Sequence, residues 1–114
     1  MVLVKAKTAY SLWLVAFNDV PKICRQTLGK KIDNSFLELL EAIFISMYLL
    51  PQQKYLKLTT AISKLDAVNF FLQLAWENKG INNQRYALLS QNLNEIGRML
   101  GGWKKGLENK TPAR

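Results

Sequence analysis

Apolar residues recur along this chain at spacings of three and four, the repeat that lines up side chains on one face of an α-helix. Ala6, Tyr10, Trp13 and Phe17 form the first such stripe and predict a helix from about Lys5 to Asn18. A second stripe, Leu28, Ile32, Phe36, Leu39, Ile43, Met47 and Leu50, predicts a helix from about Lys22 to Leu50, with Pro21 acceptable at its start. Leu58, Ile62, Leu65, Asn69, Leu72 and Trp76 predict a third from about Tyr55 to Asn78, with Gly80 as its stop. The fourth stripe is the most regular: Tyr86, Leu89, Leu93, Ile96, Leu100, Trp103 and Leu107 keep an unbroken heptad, predicting a helix from about Asn83 to Glu108 with Asn82 or Asn83 as N-cap.

Helix-ending residues separate the stripes at Asp19-Val20-Pro21, at Pro51-Gln52-Gln53 and from Asn78 to Asn83. Such short turns make sequence neighbours antiparallel, so the pattern predicts an all-α, up-down-up-down four-helix bundle. One domain is expected over residues 1–109, followed by a disordered tail at 110–114. Leu37 and Phe44 in the second helix, and Phe70, Phe71 and Leu74 in the third, fall outside the main stripes. Surplus apolar surface of this kind marks interfaces, which predicts a homo-oligomer using these five residues. The stripes alone do not set the number of copies.

Charge then narrows the function. Against 16 Lys and Arg stand 8 Asp and Glu, a formal net charge of +8 that favours polyanionic partners. Histidine is absent, which removes the commonest general base and metal ligand, and the lone Cys24 has neither a disulfide partner nor an imidazole to activate it. Glu38 and Glu41 are three apart but lack the histidine of a di-iron pair; with Asp33, Lys30 and Lys31 they read as a solvated face with local ion pairs. No phosphate loop or Cys-x-x-Cys occurs, so a non-enzymatic protein without metal or cofactor is expected. The longest apolar run, Ala42 to Leu50, is broken by Ser46 and falls well short of the roughly 20 residues that span a bilayer. The lysines near the N-terminus do not fit a secretory signal, and a cytoplasmic protein is expected.

The basic residues have a phase. Arg98 and Lys105 share the outward f position of the fourth heptad, with Lys104 beside them and Gln84 and Gln91 continuing the row. Lys57 and Lys64 share one heptad position, Lys54 lies about a turn earlier, and Lys30 and Lys31 are adjacent. Such rows can follow a phosphate backbone, although exposed lysines commonly serve solubility alone. Trp13, Trp76 and Trp103 sit on the apolar stripes and are expected in the core rather than as base-stacking platforms. Gly101-Gly102 is an anomaly inside a helix. Its bare backbone would admit a nucleic-acid strand or another helix, or relieve crowding beside Trp103.

In order and spacing, several segments resemble the accessory variability determinant proteins of bacterial and phage diversity-generating retroelements. They are Tyr10 and Trp13, Thr27-Leu28-Gly29-Lys30-Lys31-Ile32, Leu37-Glu38-Leu39-Leu40-Glu41, Lys64-Leu65-Asp66, Phe70-Phe71-Leu72-Gln73-Leu74-Ala75-Trp76, and the stretch from Leu93 to Lys105 that ends Gly101-Gly102-Trp103-Lys104-Lys105. The resemblance implies a homopentameric basic four-helix bundle without catalysis of its own. It would bind the element's reverse transcriptase and RNA or DNA, supporting mutagenic copying of a template RNA into cDNA. The basic positions that match are Lys30, Lys31, Lys64, Arg98 and Lys105, while Lys54 and Lys57 rest on phase alone. Bundle proteins encoded by intervening sequences of ribosomal RNA genes share the general pattern, and a scaffold for an acidic protein partner is the other alternative.

Overall fold

The computed structural model describes residues 1–110, and those residues form four helices and no strand. α1 is Val2–Asp19. α2 runs in three pieces, Lys22–Cys24, a π-helical turn Arg25–Gly29, and Lys30–Ser46. α3 is Pro51–Glu77 and α4 is Asn83–Lys110. Lys110, placed by the sequence in a disordered tail, is the last residue of α4, and 111–114 lie outside the described residues.

Each boundary has a local cause. α1 stops before Pro21, because the residue preceding a proline is pushed to extended backbone; Val20 has φ −68° and ψ 130°. α2 also ends early, in a turn over residues 47–49, and the same effect fixes its exit at Leu50. The sequence predicts helix to Leu50, but the last helical residue is Ser46, and Leu50 ahead of Pro51 adopts φ −68° and ψ 156°. Pro51 then opens α3, where a missing N–H costs nothing, so α3 begins four residues before the predicted Tyr55. At the other end of α3 the left-handed residue is Lys79, with φ 63°, rather than the expected Gly80. Gly80 N–H donates to Ala75 O at 2.7 Å and Lys79 N–H to Trp76 O at 3.0 Å, the paired bonds of a Schellman stop. Glycine is needed at 80 for closeness, since a Cβ there would sit 3.1 Å from Ala75 O. Asn82 caps α4 through Oδ1, which accepts from Arg85 N–H at 2.8 Å.

The π-helical turn was not predicted. Arg25 reaches back from it to the end of α1, donating from Nε to Val20 O and from Nη2 to Asn18 O, both at 2.9 Å. Gly29 closes the turn against Phe17, so near that a Cβ would lie 2.7 Å from the ring. One extra residue in this turn thus brings α2 onto α1 in register for both contacts.

α1 packs on α2, α2 on α3, α3 on α4, and α4 back on α1, within 49 × 22 × 22 Å. One apolar cluster fills the centre. Trp13, Phe36, Leu39, Ile43, Leu58, Leu72, Leu93, Ile96 and Leu100 are fully buried in it. α4 matches its heptad, whereas α3 is rotated from the predicted stripe. It buries Leu58, Ala61, Leu65, Val68, Leu72 and Ala75, leaving Ile62, Asn69 and Trp76 half-buried at the edge. Small alanines face the core and allow close helix approach, while the larger side chains spread along the seams. α1 does the same, burying Ala6, Ala9, Trp13 and Ala16 with Tyr10 and Phe17 at its margin. Leu50, predicted on a core stripe, is exposed.

Candidate nucleic-acid interface

The carboxylates are unevenly placed along the helices. None lies in residues 1–18, 42–65 or 96–107, stretches that hold eight of the sixteen basic residues. The start of α1, the first half of α3 and the second half of α4 therefore carry positive charge almost without counter-charge, while the end of α2 beside them is uncharged after Glu41. Contacts bring these stretches to one end of the molecule. Lys54 Nζ lies 5.7 Å from the Trp103 ring and Lys104 Nζ lies 5.1 Å from the Tyr55 ring, so α3 and α4 exchange a lysine for an aromatic in both directions. Tyr55 Oη donates to Glu108 at 2.9 Å, and this bond to a carboxylate is the main reason the phenol's pKa is raised. Met1 ahead of α1, Val2 of α1 and Met47 after α2 line a cavity with Lys54, Met99 and Trp103.

Two of the eight cations are neutralised at the border of this region. Lys5 Nζ lies 2.8 Å from Glu95 Oε2, and the bond holds the Glu95 carboxyl below its ordinary pKa, with a smaller contribution from Arg98. Lys64 Nζ lies 3.2 Å from Glu38 Oε2 across α2 and α3. That ion pair corrects the sequence reading, which joined Glu38 to Lys30 and Lys31 on its own helix. Lys7, Lys54, Lys57, Arg98, Lys104 and Lys105 have no carboxylate within salt-bridge distance among the described residues.

The seven predicted nucleic-acid residues thus separate into groups. Lys57, Lys104 and Lys105 lie at the aromatic end, and exposed Arg98 stands two turns before Lys105 on α4. Lys64 belongs to the α2–α3 seam, where it is paired, and Lys31 Nζ covers the Phe71 ring of the same seam at 5.6 Å. Lys30 is exposed just after the π-helical turn, next to Lys31 in the chain. Of the five predicted interface residues, Leu37, Phe44 and Phe70 are 45%, 50% and 61% exposed, unusually open for large apolar groups, whereas Phe71 and Leu74 are half-buried.

Sequence reasoning missed two things. It placed all three tryptophans in the core, but only Trp13 is fully buried. Trp76 stacks on Tyr86 at 4.5 Å and donates to Asn83 Oδ1, and Trp103 lies half-open under Lys54. The available signal was the pair Lys54-Tyr55 opening one helix and Trp103-Lys104 closing another. It also took Asp33 for solvated surface. Asp33 Oδ1 instead accepts from Tyr10 Oη at 2.8 Å and Trp13 Nε1 at 3.1 Å, fastening α1 to α2. Burial first, and the carboxylate second, push the Tyr10 phenol up to about 12.

At the far end, Arg85 Nε lies 2.7 Å from Asp19 Oδ2; the contact is one of charge, since no acceptor lies along the N–H direction. Among the described residues no group of three or more His, Cys, Asp or Glu is placed to hold a metal ion, and no helix is long and apolar enough to cross a membrane.

A family model described as bAvd-like matches residues 1–107, which takes in α1, α2, α3 and α4 through Leu107. No curated protein matches the chain.

Proposed function

The chain belongs to the bAvd-like family, and from that premise we propose that it is a non-enzymatic accessory variability determinant of a diversity-generating retroelement. In this role it binds the element's reverse transcriptase and its template RNA or cDNA in the cytoplasm, supporting mutagenic copying. The observation that carries the nucleic-acid part is the set of six cations without ion-pair partners on carboxylate-free stretches that meet at one end. Solubility alone would be served by mixed charges, whereas a surface of one sign concentrates a polyanion. Contacts to phosphates of this kind position a nucleic acid without reading its sequence.

The helices run up-down-up-down in this proposal, and five copies close into a ring through apolar surface that includes Leu37, Phe44, Phe70, Phe71 and Leu74. Their exposure supports self-association, because large open apolar groups are costly on a free monomer. A ring would repeat the basic end several times and multiply its field.

The test is a titration of labelled single-stranded RNA at several salt concentrations, with mass followed by light scattering. Binding by a ring-sized oligomer that weakens steeply with salt is expected. Arg98→Glu combined with Lys105→Glu should abolish binding at moderate salt, with helicity and oligomeric mass intact. Unchanged RNA affinity in the double variant would remove Arg98 and Lys105 from the site. Absence of RNA binding even at low salt would instead favour a scaffold for an acidic protein.

A further inference from the structure

The basic end holds more than charge. All three methionines of the chain, Met1, Met47 and Met99, line one cavity of about 450 Å³ with Val2, Trp103 and Lys54. They come from the residue that precedes α1, the turn after α2, and α4, so the cavity is a product of the fold and has no counterpart in any one segment. Its lining side chains are apolar apart from Lys54 and the indole N–H of Trp103, and the Lys54 ammonium rests on the Trp103 ring. Tyr55 and Lys104 repeat that pairing next to it. Farther along α4, Gly101, Gly102 and Gly106 are open: a Cβ at any of them would meet nothing within 4 Å. Among the described residues no side chain beyond the immediate chain neighbours requires these glycines. Three helix-weakening residues therefore stand around Trp103, Lys104 and Lys105, where they keep the surface low and unobstructed.

Resting on the nucleic-acid role proposed above, we infer that this end is a single-strand site, in which an unstacked base enters the methionine-lined cavity against Trp103 while Lys54 and Lys104 turn to the adjoining phosphates. The chemistry favours a polynucleotide over a protein segment. An apolar cavity ringed by lysines needs an occupant that supplies a flat apolar face and negative charge at short, regular intervals, and every nucleotide of an unpaired strand supplies both. A duplex keeps its base faces stacked inside and offers only phosphate. The lining side chains offer only the Lys54 ammonium and the Trp103 indole N–H as strong hydrogen-bonding groups, both of them donors and too few to select a base. Displacing a lysine from an aromatic ring costs little at a solvated surface, and the ammonium regains a stronger partner in phosphate.

The experiment compares three ligands on the full chain at one salt concentration: a labelled uridine homopolymer, the same strand with abasic sites, and an RNA duplex of equal length. The intact strand should bind roughly tenfold more tightly than either of the others, the usual size of a lost aromatic stack. Trp103→Leu should erase that difference while leaving duplex affinity and the salt dependence in place, and Trp103→Phe should retain most of it. Circular dichroism identifies any variant that fails to fold, and the abasic comparison needs no variant. Equal affinity for intact strand, abasic strand and duplex overturns the single-strand site while leaving phosphate binding standing. Failure of all three ligands to bind at low salt overturns the nucleic-acid role itself. Binding that is unchanged in Trp103→Leu overturns the inference.

Discussion

Two aromatic clusters in this bundle use opposite charges to opposite effect. Between α1 and α2, Tyr10 and Trp13 direct their polar hydrogens onto the carboxylate of Asp33, and the indole is fully buried. Between α3 and α4, Tyr55 and Trp103 lie under the ammonium groups of Lys104 and Lys54, with both rings half-open to solvent. A half-buried carboxylate with two short hydrogen bonds gains fixed geometry and loses freedom, which suits a fastening. A lysine over an open ring can leave it at small cost, which suits a surface that must change partners. The same residue types are structural at one place and available at the other because of the sign and burial of what they meet.

Removing the indoles tests this contrast most strongly. Trp13→Ala should lose about 3–5 kcal/mol of stability, the usual cost of emptying a fully buried aromatic site. Trp103→Ala should lose about 1 kcal/mol, because the ring is already partly solvated. Chemical denaturation of the two variants measures the difference, and equal losses would mean that the α3–α4 cluster is also a fastening. Next in size, Asp33→Ala leaves the Tyr10 hydroxyl and Trp13 N–H without their acceptor and should cost about 1–3 kcal/mol, read by the same unfolding curves.

The glycines sharpen the comparison further. A methyl group at Gly29 would strike the Phe17 ring, so Gly29→Ala should destabilise by about 1–3 kcal/mol. Gly102→Ala meets open space in a helix and should stabilise by about 0.5–1 kcal/mol. Thermal unfolding of the pair should therefore shift in opposite directions. The smallest effect is one of pH. The Tyr10 phenol rises from 10.0 to about 12 in the folded protein, so the folded state holds this proton more tightly than the unfolded chain does. Its contribution is complete below pH 10.0 and is lost as pH rises through about 12. Tyr10→Phe should flatten that alkaline slope and remove one phenolate from the late part of the tyrosine titration, to which Tyr55 with its raised pKa also contributes.

Much of the bundle was legible because heptad spacing is a direct consequence of helical geometry. α4 buries Leu89, Leu93, Ile96 and Leu100, as its repeat requires. α3 was legible as a helix but not in its rotation: Ala61 and Ala75 carry little hydrophobic signal, yet they face the core because their size permits close packing. Only part of the candidate interface could be read, since Arg98 and Lys105 share an outward phase whatever surrounds them. Whether Lys64 is free was not readable, because its partner Glu38 comes from another helix.

What the chain determined by itself is therefore everything that depends on nearest neighbours along a helix: four helices, their stops at Pro21, Pro51 and the Asn78–Asn83 turn, the net charge, and the lack of histidine. Tertiary structure alone decided which carboxylate meets which cation, where Lys54 and Trp103 join, and that three methionines far apart in sequence share one cavity. The physical reason is range. Helical propensity and periodicity act over a few residues, whereas ion pairs, ring contacts and cavities depend on distances that exist only after the helices have packed.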